Sequence, residues 1–500
     1  MLNMRSGRGC GLLLALLVVG KCGAADGAPQ LVYGTYLGGH DKECTTSIAI
    51  DTTGTAYVVG RTPSPDFPVT PGAFRTKTAV NNDDWVGFVS RINERGDRLV
   101  YSSFIGGDFR SSANAVAVDS VGRAFVAGST CSAAFPSTRS AVIRTAPGSR
   151  KSNACDGFLA WLTADGSRLE YATYIGGSGE DAATALALAP GGNVIYVGGY
   201  TASPDFPVTP TALQRRLEGS RNGFLSAIDV ASGRLLYSTY LGGAGNEQVT
   251  SIAVAPDGAV FVAGFTDSKT WPDIQLGRLG ALGGTDGFVI RLDPTGKARP
   301  FGVRIGGSGD DSLAAISIDP DGDVYIAGST NSPQFPVKGT YLRQVGGAFI
   351  AKLDGRRFAR RQAVLLWSRR FGGHGDDALL SVSAGMPGSI FVSGRSGSKD
   401  FPTTASAFHR RLAAENDSIL ARLRASDGGL QYCTFIGGTR RHASWYNDEA
   451  TGVAANRNGE VFVTGCTLDD RLPVSRGAFQ PRPKGNSEPF VLRLKFGPLE

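Results

Sequence analysis

Residues 31–39, LVYGTYLGG, decide how the rest of the chain is read. The stretch has the look of a β-strand and closes on a glycine pair. It recurs as YSSFIGG at 101–107, YATYIGG at 171–177, YSTYLGG at 237–243, FGVRIGG at 301–307, WSRRFGG at 367–373 and YCTFIGG at 432–438. The opening aromatics fall at 33, 101, 171, 237, 301, 367 and 432, a spacing of 64 to 70 residues. Self-similarity at a fixed period in an all-β pattern marks a repeat architecture, in which stacked neighbours bury what one unit cannot. Seven copies imply a ring.

The third unit shows the order within a repeat. YATYIGG leads through SGEDAAT to ALALA (185–189), a tight turn, VIYVGG, a long loop, GFLSAID, and the turn VASGR before the next opening strand. Alternating apolar residues bounded by Gly, Asp and Asn are the hairpin signature. Four antiparallel strands in each of seven units predict an all-β, seven-bladed propeller. With strands labelled A to D from the channel outward, the first full blade reads SIAID (47–51), TAYVVG (55–60), GFVSRI (87–92) and LVYSSFI (99–105). The first copy has no A, B or C before it, and the chain's end supplies B and C with no D. Residues 31–37 are therefore expected to pair with 489–496 and close the ring, because an open ring would leave two bare strand edges.

The leader differs in character from the repeats. Arg5 and Arg8 precede an apolar run at 12–19, and small residues stand at 23–25, the layout of a signal peptide over 1–25. Cys22 raises the question of a lipid anchor, but Lys21 precedes it, and ordinary cleavage near Ala24 or Ala25 is preferred. Residues 26–500 then read as one propeller domain. Removing 1–25 leaves 48 basic against 44 acidic side chains, +4 in place of +7, and both signs interleave. That pattern argues against nucleic acid. No later stretch is long and apolar enough to be transmembrane. In an exported protein Cys131 and Cys155 are the favoured disulfide, worth roughly 3 kcal/mol in the chain-entropy model. Cys44 with Cys466 is the second choice, leaving Cys433.

Strand B ends in Gly in all seven units, which calls for a positive φ or a close backbone approach. An apolar residue and Pro come next: Phe67, Phe135, Phe206, Trp271, Phe335, Phe401 and Leu472 begin these pairs and are read as plugs between blades. IGGSGEDAATALAL…YVGGYTASPDFPVTP and IGGSGDDSLAAISIDPDGDVYIAGSTNSPQFP resemble the bacterial SBBP family of seven-bladed propeller repeats. The resemblance spans the chain behind the leader and implies an exported or surface propeller. It brings no catalytic residue set. VSAGMPGSIFVSG in repeat six and the insertion at 439–449 depart from the pattern. Asp319-Pro-Asp321-Gly-Asp323 has the start of a calcium loop, but in a short A–B turn it reads as a plain hairpin turn.

The D–A and B–C loops share one face, and loops on a rigid scaffold carry function. An acid precedes strand A in six units: Glu43, Asp181, Glu247, Asp311, Asp377 and Asp448, with Ser111 the exception. They form either a carboxylate ring able to hold calcium or another cation, or a set of turn anchors, and their recurrence favours anchors. All four histidines map to this face: His40, His374 and His442 in D–A loops and His409 in a B–C loop. Ring closure is expected to gather these four histidines with Arg440, Arg441, Trp445 and Tyr446 into a site for zinc or another divalent metal, or for a sugar or peptide. No catalytic motif stands out. The expectation is a monomeric binding module for a protein or glycan at the cell envelope. A glycoside hydrolase or lyase using loop carboxylates is the alternative, and a purely structural surface protein the third reading.

Overall fold

A computed structural model of the chain describes residues 28–78, 84–148, 154–294, 300–339, 346–437 and 448–498. Seven antiparallel sheets succeed one another round the ring, each beginning with the strand labelled A. Blade one consists of Cys44–Ile50, Ala56–Thr62, Val86–Ile92 and Leu99–Ile105. Blade seven consists of Glu449–Ala455, Glu460–Thr467, Glu488–Lys495 and, from the other end of the chain, Gln30–Tyr36. That last pairing is antiparallel, with Gln30 opposite Lys495, Gly34 opposite Leu492 and Tyr36 opposite Phe490. The ring therefore closes as the sequence predicts.

The closure is fastened a second time nearer the axis. Thr45 Oγ1 donates to Gly465 O at 2.9 Å, and Thr451 Oγ1 donates to Thr45 O at 2.9 Å. Cys44 and Cys466 form a disulfide with Cα atoms 4.9 Å apart, tying strand A of blade one to strand B of blade seven. The favoured pair, Cys131–Cys155, is also bonded, and Cys433 is free and buried. Further round, Thr46 Oγ1 donates to Ala113 O at 2.6 Å and Thr250 Oγ1 to Leu313 O at 2.7 Å. The inner strands are thus laced to one another from blade to blade.

Apolar clusters lie one to each junction between neighbouring blades. Between blades one and two, Tyr57, Val59 and Tyr101 meet Phe158, Ala160 and Tyr174, with Phe135 wedged among them at 4% exposure. Phe67, Phe206, Trp271, Phe335, Phe401 and Leu472 occupy the other clusters in the same way. Burying one such side chain contributes about 1.5–3 kcal/mol.

The invariant Gly of strand B answers to close approach, not to a positive φ. Strand A bulges opposite it, with a register shift between Thr45 and Ser47 in blade one. A Cβ at Gly60 would lie 2.1 Å from the Cys44 carbonyl oxygen. Gly96, in the C–D turn of blade one, has φ +69°, and a Cβ there would strike the Tyr33 ring at 2.4 Å. Tyr101, Tyr171 and Trp367 are met in the same way by Gly166, Gly233 and Gly428 in the turn of the next blade.

Two elements were not legible in the sequence. Gln275–Leu279 adds a fifth strand to blade four, parallel to Phe301–Ile305. A short helix, Gly355–Ala359, fills the C–D connection of blade five, and the Asp354 side chain accepts from Arg357 N at 2.9 Å. The 319–323 segment is a hairpin turn: Asp319 Oδ1 accepts from the Asp321 and Asp323 amides, and Lys352 Nζ sits 2.8 Å from Asp323.

Candidate functional site

The acids ahead of strand A are buried, one to a junction, beneath the face of the D–A and B–C loops. Asp181 Oδ2 accepts from Gly177 N at 2.8 Å and from Ser203 Oγ at 2.7 Å. Glu247 accepts from Gly243 N, Asp311 from Gly307 N, and Asp377 from Gly373 N, at 3.1, 2.7 and 2.9 Å. Thr62 Oγ1 donates to Glu43 at 3.1 Å, and Leu468 N donates to Asp448 at 2.6 Å. Each acid thus anchors loop groups. Ser111, the exception by residue type, takes the same bond from Gly107 N at 3.3 Å.

A second set of acids, beginning strand C, escapes the sequence reading: Asp156, Asp286, Asp417 and Glu488. Each faces the anchor acid of the next blade across the first glycine of the GG pair. A Cβ on Gly176 would lie 2.7 Å from Asp156 Oδ1 and 2.6 Å from Asp181 Oδ2. The other pairs are Asp286 with Asp311, Asp417 with Asp448, and Glu488 with Glu43. At the next junction Asn222 stands in for the first acid, and its Nδ2 donates to Glu247 Oε2 at 2.9 Å.

Arg304 neutralises Asp286 through an ion pair. Among the described residues no Lys or Arg pairs with the other three couples. Burial raises Asp156 to about 7, helped by the Asp181 charge, and raises Asp181 to about 6. It likewise lifts Asp417 to about 6 and Asp448 and Glu488 to about 7. The chief cause throughout is burial, which penalises the ionised form, and the facing acid adds to it at Asp156, Asp448 and Glu488. At the Asn222 junction the amide supplies the hydrogen that a protonated carboxyl would supply.

The histidines take local roles. His40 Nδ1 meets Asp66 Oδ1 at 2.5 Å, and His374 Nδ1 meets Asp400 Oδ2 at 2.7 Å. Both clasp a D–A loop to the B–C loop of the same blade, as Ser178 does through Asp205 at 2.8 Å. The Asp66 hydrogen bond and charge hold the His40 pKa above its ordinary value. The His409 backbone pairs with Phe435. His442, Arg440, Arg441, Trp445 and Tyr446 lie outside the described residues.

One concavity opens near this machinery, a cleft of about 640 Å³ where blades four, five and six meet. It takes in His374 but neither His40 nor His409. Phe265, Asp310, Asp311, Arg370 and Asp377 also line it. Arg370 occupies the strand D position held by Tyr240 in blade three. Its guanidinium donates to Gly346 O at 2.7 and 3.0 Å, where Tyr240 donates to Ser203 O. Asp311 and Asp377 are almost fully buried, and each keeps one oxygen without a hydrogen-bond partner. Burial lifts the Asp377 carboxyl above the usual range. Among the described residues the six anchor acids do not converge on one point. The trio with metal-ligand spacing is Cys44, Glu449 and Cys466, and its two sulfurs are bonded to each other.

Among curated proteins the chain is similar to the regulatory protein FlaEY of Caulobacter vibrioides, 26% identical over 277 residues, 53% of this chain. The match spans 28% of the length of that relative. Among solved structures, hydrazine synthase of Kuenenia stuttgartiensis overlays with a TM-score of 0.42 at 11% identity, covering 84% of this chain and 92% of that one. Sqt1 of Chaetomium thermophilum gives 0.42 at 14% identity over 94% and 98%. Residues 302–336, from strand D of blade four through the Phe335-Pro336 plug of blade five, match the family model described as SBBP, beta-propeller repeat. With its blades built to one plan, the chain is a seven-bladed β-propeller that carries the SBBP repeat.

Proposed function

We propose that the chain is an exported interaction module of the bacterial cell envelope, and that a protein segment or glycan seats on the face of the D–A and B–C loops. The observation that carries this reading is the cleft of about 640 Å³ at blades four to six. A concave site with one aromatic wall, Phe265, and a few fixed polar groups is what orients a small segment of ligand. Arg370 and His374 are held in place by their hydrogen bonds, so little ordering cost remains at binding. Export is supported by the leader at 1–25 and by two disulfides, which suit an oxidising compartment. The ring completes itself with its own first strand, which supports a monomer. A binding role also agrees with the regulatory description of the Caulobacter relative.

Asp376 lines the cleft beside His374, and the test is a screen of residues 26–500 on glycan and peptide arrays, beside a Phe265→Ala/Asp376→Ala variant. The expected result is a ligand that loses at least about tenfold in affinity on the variant, the scale of one lost anchor. Ligands held equally by both proteins would remove the cleft from the reading. Asp311 and Asp377 favour a second reading, a glycoside hydrolase or lyase, because buried acids of this kind serve general acid catalysis. Assaying array glycans for release of reducing ends, and finding none, ends that reading.

A further inference from the structure

The junction of blades one and two lacks both acids: Val86 begins strand C and Ser111 begins strand A. The rim above it carries two arginines. Arg61 and Arg110 are exposed, and both hold their guanidinium groups against Trp85, at 5.1 and 5.3 Å from the ring centroid. Arg110 Nε also meets Asp84 at 2.7 Å. Among the described residues Arg61 has no carboxylate partner. Phe109, 40% exposed, lies 5.4 Å from the Arg110 guanidinium.

The same positions elsewhere on the rim carry different chemistry. Strand pairing sets Arg61 opposite Cys44, as Ser129 faces Ser112, Phe265 faces Gln248 and Ser329 faces Ser312. Arg395, the other arginine in that series, is spent on Asp376 and Glu449 at 3.4 and 3.6 Å. The residue equivalent to Arg110 is Glu180, Asp310 or Asp376 in blades three, five and six. Level with Arg110, blades three, five and six thus carry an acid, and of the two arginines Arg61 and Arg395, only Arg61 is without a carboxylate among the described residues.

We propose that this sector binds a uronic-acid unit of an acidic polysaccharide. Planar guanidinium forks match a carboxylate in two-pronged fashion, and Trp85 holds two of them ready by cation–π contact. The exposed Phe109 ring offers an apolar face to the C–H side of a sugar. A long nucleic acid wants a continuous basic stripe, and Glu180, Asp310 and Asp376 interrupt one at the positions level with Arg110. The proposal rests on the reading that this face binds ligand, and it names the ligand's chemistry at a place apart from the cleft.

The experiment titrates residues 26–500 with hexagalacturonate, its methyl ester, the neutral cellohexaose and a poly-glutamate peptide. Tryptophan emission reports on the site in a Trp445→Phe background, because Trp161, Trp271 and Trp367 are buried in the blades. A Trp85→Phe variant assigns the signal, and calorimetry measures binding without it. Hexagalacturonate is expected to bind, with the ester and cellohexaose at least about tenfold weaker, and to weaken as salt rises. Arg61→Gln/Arg110→Gln is expected to lose at least about tenfold, as befits charge-assisted hydrogen bonds, with an unchanged melting temperature. Arg61→Gln alone serves if the double variant fails to fold. No binding of hexagalacturonate overturns the proposal, as does equal binding of the ester, undiminished binding by the arginine variants, or poly-glutamate binding as tightly. If it fails while a Phe265- and Asp376-dependent array ligand persists, the interaction-module reading survives without it.

Discussion

The junction of blades two and three and the junction of blades one and two use the same backbone loop with opposite chemistry. In the first, Gly177 N donates to Asp181 Oδ2, and Asp156 lies across the glycine with neither oxygen hydrogen-bonded. In the second, Gly107 N donates to Ser111 Oγ, which also meets Thr130 Oγ1 at 2.9 Å, and Val86 replaces the facing acid. The loop therefore needs an acceptor and does not need a charge. Charge is a separate layer laid over the turn. Where it is absent the rim above carries two arginines, and where it is doubled the junction holds either a proton or, at Asp286 and Asp311, the Arg304 guanidinium.

The sharpest way to break that comparison is to carry the acid across. Val86 is 1% exposed, and the Arg75 guanidinium reaches the same junction at Gly106 O. Val86→Asp made in an Arg75→Gln background, and measured against Arg75→Gln alone, buries a carboxyl with no cation beside it. An uncompensated buried charge costs on the order of 3–5 kcal/mol, and less when the group is protonated. Urea unfolding is expected to show the full loss at pH 8 and a smaller one at pH 5. Equal losses at both would mean that lost packing, and not charge, separates the two junctions.

The native pairs make the same point in reverse. Asp156, Asp448 and Glu488 are raised to about 7, and Asp181 and Asp417 to about 6, in each case chiefly by burial. A carboxyl whose folded pKa is raised binds more protons folded than unfolded. Stability is then full below the unfolded carboxylate pKa of about 4 and declines as pH climbs through 6 and 7. Asp156→Asn copies the Asn222 junction. It is expected to raise stability by roughly 2 kcal/mol at pH 8, part of the full linkage value, and to change little at pH 4. A flat difference across that range would show that Asp156 ionises freely in the fold.

The blades, the closing strand and the plugs were legible because every repeat states them again. The bulge opposite Gly60 was half legible: seven glycines showed that a Cβ is forbidden, and only the Cys44 carbonyl shows why. The site was harder to read. The anchor acids precede strand A in a recognisable motif, but their partners sit ahead of strand C, on the neighbouring blade. The DGF at 156 and 286 and the NGF at 222 were the available signal. His40 and His374 drew attention as rare residues, yet each makes a bond that Ser178 makes as well. Arg61, Trp85 and Arg110 belong to three separate stretches of chain, and only the ring brings them together. The one hint was that Ser111 broke the acidic series at the same junction.

The smallest expected effect separates the two layers. Ser111→Ala removes the acceptor of Gly107 N and the bond to Thr130, leaving a buried amide without its side-chain partner. That costs about 1 kcal/mol, the ordinary net worth of a neutral hydrogen bond. Because no proton is exchanged, the cost is expected to be the same at pH 5 and pH 8. Asp181→Ala removes an equivalent acceptor but also relieves Asp156 of its charged neighbour. Its cost should therefore shrink as pH rises, with the relief offsetting part of the lost bonds. If the two variants run parallel across pH in urea titrations, the acid pair is electrostatically idle, and the acid-free junction differs from its neighbours in side-chain identity alone.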